Sequence, residues 1–104
     1  MNSNIKVIEP LGILTKAEAP NLRQMVDESL QAGAKMILID FSNITFMDSG
    51  GLGSLVMIRK AVMEAKAQLF LCSLNDQIQM LFELTDMERI FKIYPNREQF
   101  EQKL

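Results

Sequence analysis

An α/β domain with a mostly parallel central sheet and alternating helices is what this sequence predicts, and three features predict it. Two short runs, MILI (Met36 to Ile39) and LFLC (Leu69 to Cys72), are apolar at every position. That is the pattern of strands buried on both faces of a parallel sheet, and the two are expected to be adjacent or near-adjacent interior strands. Around them lie stretches with apolar residues at helical spacing, including Leu22, Met25, Val26 and Leu30, and then Leu55, Ile58, Val62 and Ala65. Strands that alternate with helices in this way imply right-handed crossovers.

Ile5, Val7, Leu11 and Ile13 lie in two extended pieces broken at Pro10 and Gly12; Pro10 suits an edge or a bend better than a central strand. TKAE reads as a capping box, with Thr15 accepting from first-turn amides and Glu18 reaching back. Pro20 belongs in a first helical turn, which instead sets the start of the helix near Ala19. Gly33 is its stop. MILI ends at Asp40, and after FSNITFM a glycine-rich segment opens a helix that runs to about Lys66. LFLC follows. Asn75 is placed to cap a helix carrying Ile78, Leu81 and Phe82, IFKIY is read as a short strand, and Asn96 with Gln99 forms a second capping box before a terminal helix holding Phe100 and Leu104.

The 104 residues are read as one domain, 1–104, and a hydrophobic share of 48% against 23% charged allows a core without staples. A net charge of −2 and the lack of basic clusters argue against nucleic acid as a partner. No apolar run reaches the roughly 18 residues needed to span a membrane, and MNSNIK has no export-signal pattern. The lone Cys72, inside an apolar run, reads as a buried core thiol in a reducing cytoplasm. With no His in the chain, His-based nucleophile activation and His metal ligation are excluded. No metal or cofactor is expected.

The segment "FMDSGGLGSLVMIRK", Phe46 to Lys60, crowds three glycines into the start of a helix, where each costs about 1 kcal/mol relative to Ala. Sites in parallel α/β folds gather where strand–helix loops begin, and Asp40 to Gly53 lies in such a place. As a phosphate cradle it fails, because no Lys–Ser or Lys–Thr pair follows the glycines and G-x-G-x-x-G is absent. A receiver-like or small phosphoryl-transfer site using Asp40 or Asp48 lacks the acidic pair on the early strands that would hold a divalent metal. What remains is a helix N-terminus with an exposed hydroxyl. Either Asp48 or Ser49 is the N-cap, and Gly50, Gly51 and Gly53 leave the first turn without side-chain cover, open to a partner or to a kinase. The structural alternative is capping plus close helix–strand packing.

"IDFSNITFMDSGGLGSLVMIRKAV" resembles the signature of the STAS-domain anti-sigma factor antagonists, in which a strand ending in Asp is followed by a D-S-[ST]-G-L-G-like turn and helix. PLGILTKAEAPNLRQMV is similar to that family's G-x-[LI]-D turn and first helix, and LFELTDMERIFKIYPNREQF to its closing helix and last strand. The resemblance implies a partner switch with no catalysis by the domain itself. The unmodified antagonist binds an anti-sigma factor, a serine kinase of the histidine-kinase-like ATPase fold. Phosphorylation of the Ser after the motif Asp, here Ser49, releases it, and a PP2C-type phosphatase restores it. The partner surface this implies comprises Asp48, Ser49, Gly50, Gly51, Leu52, Gly53, Val56 and Met57, bordered by Thr15 and Ser42, with Leu52 as an apolar anchor. A STAS module docked constitutively on another protein, with Ser49 never modified, is the alternative. Three positions depart from the family pattern: Gly50 replaces a second hydroxyl, Thr15 the usual Asp, and Asp86 a usual Gly.

Overall fold

The computed structural model describes residues 4–104; the export-signal reading falls partly on residues 1–3, outside the described residues. Strand β1 (Ile5–Ile8) leads through a bend at Pro10 into β2 (Gly12–Leu14) and then into helix α1 (Ala19–Gln31). The chain continues as β3 (Met36–Asp40), β4 (Ile44–Met47), α2 (Ser49–Glu64), β5 (Gln68–Cys72), α3 (Asp76–Leu84), β6 (Lys92–Tyr94) and α4 (Arg97–Glu101). One four-stranded sheet has the order β1-β3-β5-β6, and β2 pairs with β4 as a second, two-stranded sheet. Every pairing is parallel. MILI and LFLC are the two central strands, side by side, as expected.

Their lack of alternation has a direct cause. Ile37, Ile39, Leu69 and Leu71 face the helical layer, where they meet Leu22 and Val26 of α1, Leu55, Ile58 and Val62 of α2, and Ile78 and Phe82 of α3. Leu38, Phe70 and Cys72 face the other way and are covered by Phe100 of α4. Phe100 stacks on Phe70 and Tyr94 at centroid distances of 5.0 and 5.6 Å, within the range where aromatic pairs attract. Cys72 is fully buried, and burial pushes its thiol pKa up, the condition of an inert core cysteine.

Helix ends follow the capping residues in two of three cases. Asn75 Oδ1 accepts from the Ile78 amide at 2.9 Å and Asn96 Oδ1 from the Gln99 amide at 2.8 Å. The capping box at Thr15 does not form. Pro20 sets the start of α1 one turn later, Glu18 stands at the N-cap without a side-chain bond, and the Thr15 carbonyl accepts from the Glu18 and Ala19 amides. At the other end Gly33 has φ +94°, a left-handed stop that costs glycine nothing sterically. Strand β4, inside FSNITFM, is the element that patterning does not assign. Met25 and Ala65, read on the apolar stripes of the first two helices, are exposed, and Leu104, read in the terminal helix, lies beyond α4 and is exposed. Asp86 holds φ +65°, so the position where the family pattern has Gly is a left-handed turn, and Asp is among the few other residues that tolerate it. Among the described residues no helix is long and apolar enough to cross a membrane.

Candidate functional site

The pairing of β2 with β4 builds the site. Leu14 is the register partner of Met47, so the two strands end together and deliver Thr15 and Asp48 side by side. The Asp48 amide reaches the Leu14 carbonyl at 3.4 Å. Asp48 is extended (φ −108°, ψ −179°) and its carboxylate accepts from the Gly51 amide at 2.8 Å. This settles which residue caps α2: Asp48 is the N-cap, and Ser49 is the first helical residue, exposed, making no cap bond.

The glycines divide by role. Gly51 is buried, and a Cβ there would lie 2.0 Å from the Leu14 carbonyl oxygen and 2.8 Å from its carbon, so α2 seats directly on the end of β2. Gly50 faces Lys16, whose Cβ is 3.2 Å from where a Cβ on Gly50 would stand. Gly53 meets nothing within 4 Å. Close packing therefore accounts for Gly51, while Gly53 leaves an open surface one turn into the helix.

The predicted partner residues separate in the same way. Thr15, Asp48, Ser49 and Gly50 come together, and Gly53 and Met57 are exposed further along α2. Met57 lines a groove between α1 and α2 with Lys16, Ala19, Pro20, Arg23 and Ser54, about 350 Å³ in volume. Leu52 is 5% exposed and belongs to the core, as does half-buried Val56 at its margin. Leu52 is thus not a surface anchor. The helical period turns it inward one residue after Gly51 has brought the helix onto the strand. Ser42 is also elsewhere: it precedes β4, while Asp48 follows it, and four strand residues span about 13 Å. Lys16 is the neighbour of the site that motif reading missed; no spacing rule singled it out.

Asp40 lies with Ser42, at the end of β4 opposite to Asp48. Asp40 is buried, and its carboxylate accepts from the Ser42 hydroxyl and amide at 2.5 and 3.0 Å and from Arg97 of α4 at 3.1 Å. Arg97 also pairs with Glu9. All this is at the carboxyl ends of β1 and β3, tied to the start of α4. Burial acts to raise the Asp40 pKa, but the bonds from Ser42 and Arg97 outweigh it and hold the carboxyl below its ordinary value. With its acceptor sites taken, Asp40 is poorly placed as a phosphoacceptor. Among the described residues no group of three or more His, Cys, Asp or Glu is arranged to hold a metal ion.

Because the folded pKa is the lower one, Asp40 stabilises the fold above the unfolded carboxyl's pKa of about 4. That contribution is lost as pH falls through the folded value. Asp40→Asn is expected to cost about 2 kcal/mol at neutral pH, the worth of a hydrogen-bonded charge, and to flatten the acid limb of stability. Urea unfolding of both proteins at neutral and acid pH checks this: the gap between them should narrow as pH drops below about 4.

The family model described as STAS domain matches residues 1–100. The anti-sigma-B factor antagonist of Staphylococcus aureus (strain NCTC 8325 / PS 47) is 29% identical over 94 residues, covering 90% of this chain and 84% of the relative. The crystal structure of TM1081 from Thermotoga maritima superposes with a TM-score of 0.86 at 24% identity, covering 97% of this chain and 87% of that one. The anti-sigma factor antagonist SpoIIAA in its unphosphorylated form superposes with a TM-score of 0.73 at 18% identity, covering 94% and 86%. The phosphorylated form of the Bacillus SpoIIAA matches with 0.69 at 17%, covering 97% and 92%.

Proposed function

The chain belongs to the STAS domain family, and on that premise we propose that it is an anti-sigma factor antagonist, acting as a single domain in the cytoplasm and switched by phosphorylation of Ser49. In its unmodified form it binds an anti-sigma factor that is itself a serine kinase of the histidine-kinase-like ATPase fold. Phosphate on Ser49 ends that complex, and a PP2C-type phosphatase restores it. The domain supplies a substrate hydroxyl and a docking surface and performs no catalysis. Support comes from the antagonist role named for the Staphylococcus aureus relative, and from a fold shared with SpoIIAA, which is described in both unphosphorylated and phosphorylated forms.

The observation that carries the reading is the exposed Ser49 hydroxyl at the first position of α2, with the capping task already taken by Asp48. A phosphoryl group there adds about −1.5 to −2 charges at neutral pH, beside the Asp48 carboxylate. The helix N-terminus offsets only about 0.3–1 kcal/mol of that when exposed. Modification therefore changes the charge of the surface without removing any bond that holds the fold.

Incubation of the protein with ATP and the ATPase-fold serine kinase encoded in the same genome, followed by peptide mass spectrometry, tests the reading. One phosphate on the peptide containing Ser49 is the expected result. Phosphate on another residue, or none while the complex forms, overturns the switch and favours a constitutively docked module.

A further inference from the structure

The backbone that leads into α2 is held unevenly. On its β2 side the last bond is long: the Asp48 amide stands 3.4 Å from the Leu14 carbonyl, beyond the roughly 2.7–3.2 Å of an ordinary N–H···O bond. On its other side Gln77 bonds Met47 twice. The side-chain oxygen of Gln77 accepts from the Met47 amide at 3.0 Å, and its nitrogen donates to the Met47 carbonyl at 2.7 Å. A carboxamide carries the same kinds of donor and acceptor as a peptide unit, so one side chain stands in for a neighbouring strand. Met47 is fully buried, and backbone groups at a buried residue are costly to leave unpaired.

Gln77 is itself placed by a second contact. It is the second residue of α3, whose N-cap Asn75 donates to the Ile44 and Thr45 carbonyls at 3.3 and 3.2 Å. Two side chains at the start of α3 thus latch β4, and Gln77 takes the end nearest the site. The residue after Met47 is Asp48, the cap of α2, and the next is Ser49.

We propose that Gln77 is a positioning residue for this site: by clamping Met47 it fixes the Asp48 cap and the turn that presents Ser49. That the hydroxyl is presented to a kinase rests on the antagonist reading. Met47, Asp48 and Ser49 are consecutive, so a displacement of Met47 is passed along the chain to the hydroxyl. A misplacement of about 1 Å can cost a group transfer about a hundredfold in rate.

Gln77→Leu and Gln77→Glu test the clamp. Gln79→Glu on the same helix is the control, since the Gln79 amide bonds the Leu74 carbonyl instead. Thermal melts first confirm that each variant folds. Amide hydrogen exchange then reads the Gly51 N–H, whose bond is to Asp48 and not to Gln77. Gln77→Leu removes both clamp bonds and should lower the protection of Gly51 about fivefold or more. Gln77→Glu keeps an acceptor but, while ionised, sets a carboxylate oxygen against the Met47 carbonyl. Protonation restores a donor, so its deficit against wild type should be present at pH 7 and shrink as pH falls towards about 4. The acidic neighbours are Asp76, next in the chain, and Asp48, next to Met47, and like charges shift such a titration upward. Gln79→Glu should stay within about twofold of wild type throughout.

The functional arm is Ser49 phosphorylation by the ATPase-fold serine kinase of the same genome. In Gln77→Leu kcat should fall about tenfold or more while KM stays within about twofold. Unchanged Gly51 protection in that variant overturns the clamp and leaves the antagonist reading intact. A rise in KM alone also overturns it, because Gln77 is then a partner contact. Loss of protection in Gln77→Glu that does not recover at low pH means that side-chain shape and not the bond matters, and the proposal is wrong. Wild type that takes no phosphate on Ser49 overturns the antagonist reading, and the presentation of Ser49 falls with it whatever the exchange shows.

Discussion

Gly51→Ala is expected to destabilise the protein by about 3 kcal/mol or more, the upper range for forcing atoms into a filled site. The added methyl would stand 2.0 Å from the Leu14 carbonyl oxygen. That oxygen belongs to a backbone held by β2–β4 pairing on one side and approached by the Asp48 amide on the other, so it cannot swing away as a side chain would. Relief requires α2 to lift from β2, which strips contacts from Leu52 and Leu55 behind it. For a domain of this size the loss corresponds to a fall in melting temperature of roughly 12–20 °C. Gly53→Ala, two residues on, meets open space and should raise stability by about 1 kcal/mol through helix propensity alone. The opposite signs of two chemically identical changes make the comparison decisive. Equal effects in thermal melts would mean that Gly51 is not seated against β2.

That division could not be read from the motif. "SGGLG" shows that backbone must be bare somewhere, but which glycine touches a strand depends on where β2 ends, and β2 is only three residues long. The same hidden strand pair explains what else escaped patterning. ITFM carries exposed Thr45 and Phe46 between buried Ile44 and Met47, neither alternation nor a continuous run, because the register shifts at Thr45, an extra residue in β4 that β2 does not match, and such a bulge breaks the period of two. The interior strands were legible because burial on both faces leaves MILI and LFLC without a polar residue. Asn75 and Asn96 were legible as caps because their bonds are local, three residues on. The Asp40–Arg97 bond joins residues 57 apart in sequence, and nothing local announces it. Leu52 was misjudged for a related reason: a leucine after glycines reads as exposed until the helix it opens is known to be pressed against a strand.

Ser49→Ala and Ser49→Asp separate the switch from a purely structural role for this serine. Asp48 is the N-cap and its bond to Gly51 does not involve Ser49, so neither change should shift stability by more than about 0.5–1 kcal/mol, with Asp on the favourable side from its position at the helix N-terminus. Asp48→Ala, by contrast, removes the cap and should cost about 0.5–2 kcal/mol. Partner binding should follow a different order. Ser49→Ala keeps a neutral surface and offers no acceptor, so its complex with the kinase should persist when ATP is added. Wild type should dissociate as phosphate accumulates. Desolvating a phosphate against a surface fitted to a hydroxyl is expected to cost on the order of 4 kcal/mol, about a thousandfold in affinity. Ser49→Asp adds roughly half the charge of a phosphate, and about half that energy is only some thirtyfold, so it should weaken the complex without abolishing it. Melting curves and calorimetric titrations of the three variants against one kinase preparation give both orders at once. Should all of them bind as wild type does, with wild type taking no phosphate, Ser49 is an exposed first-turn serine and nothing more.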